Sequence, residues 1–371
     1  MKIKLNQDSN NDEIFKDMVK EKKSIEELLI FATDIDCSDL YIKVRDYPYI
    51  ARFGKVLKVP CLAISEDDWF NFYNMYVLKE DNATYVREKL YDTSIAIRVP
   101  DSNPNYAKLE DKFYRYRVCF GFSGGCQIAT FRMIRPEKRT FDNINFNDQC
   151  EQALRIAYNR KTGINLLTGP TGSGKSTTLA ACINTFTQKD DVLDNKVIIS
   201  LEDPIENIFD STDSVKINQK ELGHDFKSYE NGIKAALREH PNVVIVGEMR
   251  DKEVICTAIE AGRTGHLVSS TFHAGDVGGT LARVLYHLDN DPNLTFDLVI
   301  QLNIIMSQKM LKRDDRYLVD TQYLLFNDAI TKYLLSKVNS SNMEVEVEKL
   351  IKDPKLQEAG LVKDWDYPDE D

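Results

Sequence analysis

No stretch of the 371 residues approaches the ~20 consecutive apolar residues that a membrane-spanning helix requires. Any role at a membrane is therefore expected to run through partners. The segment Met1 to Gln7 lacks the apolar centre of a signal peptide, so the expected location is the cytoplasm. The seven cysteines (Cys37, Cys61, Cys119, Cys126, Cys150, Cys182 and Cys256) are odd in number and include no C-x-x-C pair. That argues against a disulfide frame and for buried thiols in a reducing compartment. Basic residues are also short, 48 against 59 acidic ones, for a net charge of −11. So negative a chain repels a phosphate backbone, and nucleic acid is not the expected direct substrate, although a local basic channel would escape that argument. Internal repeats and long low-complexity tracts are missing as well. What remains is an ordinary globular composition, 42% hydrophobic and 29% charged, with length for two or three domains.

Against that background, Gly169-Pro170-Thr171-Gly172-Ser173-Gly174-Lys175-Ser176-Thr177 fits G-x-x-x-x-G-K-[ST] at every fixed position. Ile164 to Leu167 enters the motif as a strand, and Leu179, Ala180, Ile183 and Phe186 leave it at helical spacing. Glycines are needed there because backbone N–H groups must close around phosphate oxygens without a Cβ in the way. Lys175 is expected to reach the β- and γ-phosphates of ATP, and Ser176 to ligate Mg²⁺. The helix N-terminus adds its positive dipole end. An ordinary glycine-rich turn is the bland alternative.

Along the chain, residues 1–23 read as a polar arm or lone helix. Residues 24–134 mix helix and strand. The period of two at Leu40, Ile42 and Val44 predicts a half-buried strand, and Gly54-Lys55 sits inside a plausible hairpin. A helix is predicted over Glu66–Leu78, a strand over Ile95–Val99, and two more over 113–120 and 126–134. Residues 135–147 read as a linker. From 148 to 340, strand-like runs at 164–168, 196–201, 243–246 and 267–271 alternate with helices, the pattern of a parallel sheet with crossover helices. A C-terminal helix and an acidic, disordered tail are expected over 341–371. The fold class is thus α/β, with a C-terminal P-loop domain of RecA-like layout behind a smaller α+β domain.

Hydrolysis needs more than a phosphate cradle; water must be activated. The run Val243 to Val246 ends in Gly247-Glu248, placing a glycine where an aspartate often sits and the acid one place later. Glu248 at a strand tip is suited to polarise the attacking water, unless it is simply a surface carboxylate. Glu202 and Asp203 follow another strand and are turned out by Pro204 at the edge where open α/β sheets bind ligands. Either could hold Mg²⁺ through water, and a capping turn is the alternative for Asp203. His266 and His273 bracket a predicted strand with no zinc-like spacing, leaving an imidazole that senses the γ-phosphate as the better reading. His224, His240 and His287 read as structural or surface groups. Arg115 and Arg117 share a strand face, with Arg132 and Arg135 on the apparent hairpin partner. They form either a solvated edge or an arginine set for phosphate charge.

These residues resemble a known family. Ser200 to Glu206, Val246 to Asp251, and Thr264 to Val268 with Thr271-Phe272-His273 are similar to the Asp box, atypical Walker B and His box of the PilT-like secretion superfamily of hexameric ATPases. Ser38 to Tyr41, Tyr49 to Gly54, Tyr114 to Val118 and Phe131 to Pro136 are similar to its PAS-like N-terminal domain. The resemblance covers roughly residues 36–335. It implies a homo-hexamer with ATP between neighbouring subunits, with Lys175, Ser176, Glu202, Glu248 and His266 acting in cis and Arg115, Arg117 and Arg132 reaching across. It implies partners among the inner-membrane components of a secretion, conjugation or pilus machine, and peripheral attachment to the inner membrane. Retraction motors carry Ala-Ile-Arg-Asn-Leu-Ile-Arg-Glu where this chain has Ala329-Ile330-Thr331-Lys332-Tyr333-Leu334-Leu335-Ser336, keeping only the start. Leu294 to Leu311 and the turn at 123–125 look closer to the DotB/TraJ branch of type IV secretion and conjugation ATPases. A pilus retraction motor, a nucleotide-gated assembly module and a DNA-translocating helicase stand as alternatives.

Overall fold

A computed structural model describes Phe15 and residues 21–52, 55–77, 91–103, 113–134, 138–144, 146–313, 316–338 and 342–367. The chain divides into two compact units, Met1–Glu137 and Lys138–Asp371. The arm expected over 1–23 lies mostly outside the described residues, as does Arg135. Its described end is tied down, with Leu62 N donating to Glu21 O and Lys22 pairing with Asp68.

In the first unit, helix α1 (Ile25–Asp34) begins where Ser24 and Glu27 satisfy each other's backbone N–H groups, a capping box that fixes the start. Helix α2 (Glu66–Tyr76) repeats the device with Ser65 and Asp68. The sheet runs β3-β2-β1-β6-β5-β4, all antiparallel, from β1 (Asp39–Lys43), β2 (Tyr49–Arg52), β3 (Lys55–Lys58), β4 (Tyr91–Arg98), β5 (Phe113–Ser123) and β6 (Cys126–Ile134). Strand β5 buries Tyr114, Tyr116, Val118 and Phe120, and so carries Arg115 and Arg117 on its other face. Phe120 meets Trp69 and Tyr73 edge-on, with ring centroids 5.8 and 5.4 Å apart. Truncating Phe120 to alanine in that cluster costs about 3–5 kcal/mol.

The second unit is an eight-stranded sheet in the order β14-β13-β12-β7-β11-β10-β8-β9. The strands are β7 (Gly163–Thr168), β8 (Val197–Glu202), β9 (Lys216–Glu221), β10 (Val243–Val246), β11 (Leu267–Phe272), β12 (Leu302–Arg313), β13 (Arg316–Leu325) and β14 (Val362–Lys363). Strands β7 to β12 run parallel, whereas β13 turns back against β12 and β14 against β13. Helices cover both faces. Ile233, Ile255, Ile259, Val284 and Leu298 pack on one side. On the other lie Leu154 of α3 (Asp148–Tyr158) and Cys182, Ile183 and Phe186 of α4 (Lys175–Phe186). Two-sided burial explains why the central strands read as unbroken apolar runs. Edge strand β9, Lys-Ile-Asn-Gln-Lys-Glu, shows no such run and is invisible to that criterion.

Two expectations change here. The described part of the presumed linker belongs to the second unit: Phe141 is buried against Phe186, and Asn184 Nδ2 donates to Arg139 O at 2.9 Å. The acidic tail is docked as far as Tyr367. Asp320, 1% exposed, accepts from the backbone N–H groups of Asp366 and Tyr367, each at 3.0 Å, and Lys363 Nζ reaches Asp366. Its acids look like a solvated run in the sequence; the fold uses both their backbone and their side chains, Asp364 Oδ1 accepting from Gln322 Nε2 at 2.8 Å. Among the described residues, no helix is long and apolar enough to cross a membrane.

Candidate active site

Because β7, β8, β10 and β11 are parallel, the residues that follow them all emerge at one edge of the sheet. The P-loop follows β7. Gly169 has φ +145, and a Cβ there would stand 2.2 Å from Gln308 O and 2.5 Å from Ser173 Oγ, so no other residue fits. Gly172 and Gly174 take φ +80 and +91, and Gly174 opens helix α4. Pro170, Thr171 and Ser176 are exposed, Thr177 is half-buried, and Ser173 is buried. The first turn of α4 has no acidic residue, so its positive end is left for an external anion. Lys175 is 8% exposed and folds back on the loop, its Nζ donating to Gly169 O at 2.8 Å and Pro170 O at 2.9 Å. Burial lowers the affinity of this ammonium for its proton, while the nearby Glu248 opposes that shift.

Glu248 stands just beyond β10. Its Oε1 lies 3.2 Å from His273 Nε2, and its Oε2 accepts from Arg250 Nε at 2.7 Å. Arg250 in turn faces Asp203, Nη1 to Oδ2 at 3.9 Å. The glycine before Glu248 has a steric reason: a Cβ on Gly247 would come within 3.0 Å of Tyr229 Oη and 3.2 Å of Leu201 O. Glu202 ends β8 and accepts from Ser200 Oγ at 2.7 Å and Gln219 Nε2 at 2.8 Å. Burial pushes its carboxyl up to about 7, against the pull of those two donors.

The two candidate histidines fall at different edges of the sheet. His266 precedes β11, where its carbonyl accepts from Gly163 N at the start of β7 and its Nδ1 lies 3.2 Å from Ala261 O. It is at the opposite edge of the sheet from the P-loop, a six-residue strand away, or roughly 20 Å. His273, which follows β11, is the imidazole at the P-loop edge, beside Glu248. Burial and the neighbouring Lys175 lower its basicity, with Glu248 opposing. Arg283 Nη1 holds its carbonyl at 2.7 Å.

The three arginines stand together as the strand period implied. Arg117 is directly opposite Arg132 across β5 and β6, and Arg115 is two residues along. Arg132 Nε bonds Asp39 Oδ1 at 3.0 Å, so part of its charge is engaged within its own domain.

Sequence reasoning missed Arg250, Tyr229, Gln219 and Gln308. Arg250 was visible in the motif but carried no assigned role. Gln308 is on β12, whose place beside β7 left no local signal. The side chains at this edge that could approach a cation (Ser176, Glu202, Asp203 and Glu248) offer oxygen, the donor Mg²⁺ prefers, but among the described residues no three His, Cys, Asp or Glu side chains stand together as a ready-made metal cluster.

A family model for type II/IV secretion system proteins matches residues 85–332. The pilus retraction ATPase PilT of Pseudomonas aeruginosa is 30% identical over 295 residues, covering 78% of each chain. Among solved structures, the ATPase DotB of Legionella pneumophila superposes with a TM-score of 0.77 at 25% identity, over 94% of this chain and 96% of DotB. The retraction motor PilT with bound ADP gives 0.74 at 28% identity, over 89% and 90%. Edge by edge, the P-loop, the acids on strand tips and the histidine after β11 have the layout of a nucleotide-binding RecA-like core, and the chain belongs to the type II/IV secretion system protein family of ATPases.

Proposed function

We propose that this chain hydrolyses ATP to power transfer of a substrate by a type IV secretion or conjugation apparatus, acting as a homo-hexamer attached to inner-membrane partners. The observation that carries the reading is the convergence of Lys175, Glu248, His273 and Glu202 on one sheet edge beside an anion-ready helix end. Lys175 exchanges the Gly169 and Pro170 carbonyls for phosphate oxygens of ATP. Glu248, held from two sides by His273 and Arg250, orients the attacking water. His273, with its Nε2 3.2 Å from Glu248 Oε1, is proposed to hold that carboxylate and to sense the γ-phosphate as it arrives. Ser176, with Glu202 or Asp203 through water, would hold Mg²⁺, which when bound neutralises charge on the β- and γ-oxygens. Arg115, Arg117 and Arg132 are proposed to serve the site of a neighbouring subunit, supplying positive charge where the transition state gathers negative charge.

Glu248→Gln tests the chemistry. Phosphate release is expected to fall ~10²- to 10⁴-fold with ATP binding retained. Unchanged slow turnover would instead support a nucleotide-gated assembly module. Mass measurement with and without a non-hydrolysable ATP analogue tests the ring. Pilus retraction is the second reading, favoured by the identity to a PilT over most of both chains. Deleting the gene separates the two, since loss of a retraction motor leaves cells piliated but unable to retract.

A further inference from the structure

We infer that Gln308 is a positioning residue that fixes which way the phosphate loop faces. The inference rests on the nucleotide-site reading above. Strand β12 outlasts β7: Ser307 pairs with Thr168, the last residue before the loop, and the next residue, Gln308, runs alongside Gly169. Gln308 is completely buried, and its Nε2 donates to Ser173 O at 2.7 Å. A trans peptide is planar, with its C=O and N–H pointing in opposite directions. Anchoring Ser173 O on the β12 side therefore turns the Gly174 N–H away from β12, toward the open side of the loop. That N–H belongs to the residue that opens helix α4, where anion-binding donors are needed.

The anchor matters because one of the two torsions that turn this peptide over, φ of Gly174, belongs to a glycine. Gly174, already at φ +91, resists that rotation less than a residue with a Cβ would, and Ser173 ψ is then the torsion the anchor must hold. Turned over, it would present a carbonyl oxygen to phosphate, which repels where the N–H attracts. The side chain is also kept at a cost. Gln308 Oε1 and Ser173 Oγ are both buried without a hydrogen-bond partner. A methionine would fill nearly the same volume and remove the Oε1 orphan while leaving Ser173 O without its donor, two changes that offset in stability, so packing alone does not account for an amide here. What the amide adds is one donor aimed at Ser173 O.

The test is Gln308→Met in the full-length chain, with ADP and ATP affinities, unfolding midpoint without nucleotide, and turnover measured on one preparation. Affinity for both nucleotides is expected to fall roughly ten- to a hundred-fold, with the loss in KM rather than kcat and the nucleotide-free midpoint little changed. A purely structural role would lower the midpoint and kcat together and overturn the inference. Wild type that binds while Gln308→Met binds equally well would overturn it and leave the nucleotide site standing. Wild type that binds neither nucleotide would remove the nucleotide site itself. If the methionine chain does not fold, a crystal structure of wild type with ADP decides. The Gln308–Ser173 bond must persist with Gly174 N–H on a phosphate oxygen, and a Ser173 carbonyl facing phosphate would contradict the inference.

Discussion

The two ends of strand β11 carry the same residue type in different surroundings. At the leading end, His266 is tied to Ala261 O and lies near Thr264 Oγ1, closing the turn between a helix and the strand. At the trailing end, His273 faces Glu248 and feels Lys175. The sheet's polarity makes the difference. Parallel strands bring all their trailing ends, and the helix start behind the P-loop, to one edge, so dipole and carboxylates gather there. The leading edge receives helix C-termini and turns instead. Seven positions in sequence thus separate an imidazole tied to a turn carbonyl from one beside Glu248 at the P-loop edge.

The largest expected effect that sharpens this contrast is at Glu202. Its carboxyl titrates near 7, and ordering Mg²⁺ through water or accepting a proton both require the ionised form. Turnover should therefore rise with pH through about 7, and Glu202→Gln should abolish that limb while lowering the plateau ~10²-fold or more. Stability runs the other way. A carboxyl raised in the folded state favours folding below its ordinary value, and the benefit is lost as pH rises through about 7. The glutamine variant should flatten that slope in unfolding measurements from pH 5 to 8. A smaller effect is expected from Gly247→Asp, which restores the acid usual in other P-loop enzymes. The crowding by Tyr229 Oη and Leu201 O should make it destabilising by about 1–3 kcal/mol rather than activating. A gain in turnover there would show that the displaced acid is a defect and not a fit. Smallest of all is His266→Ala, expected to cost about 1 kcal/mol of stability through its lost hydrogen bond.

Much of this was legible beforehand. The P-loop announces itself because few residue types tolerate its backbone, as Gly169 shows. The central strands were plain because burial on both faces leaves unbroken apolar runs, as in Val243 to Val246. Legibility ended where partners are distant in sequence. Gln308 sits 135 positions from Ser173, and nothing near it in the chain marks the contact. The tail misled because its acids suggest solvent, while Asp320 captures its backbone N–H groups. Motif membership names His266 and His273 equally, and only strand direction tells them apart.

The central claim is that hydrolysis happens at the trailing edge of the second sheet. Steady-state phosphate release at saturating ATP, compared between His273→Ala and His266→Ala, tests it most directly. We expect His273→Ala to lose roughly ten- to a hundred-fold in turnover and His266→Ala to stay within about two-fold of wild type. The reverse ranking, or equal losses in two folded proteins, would contradict it.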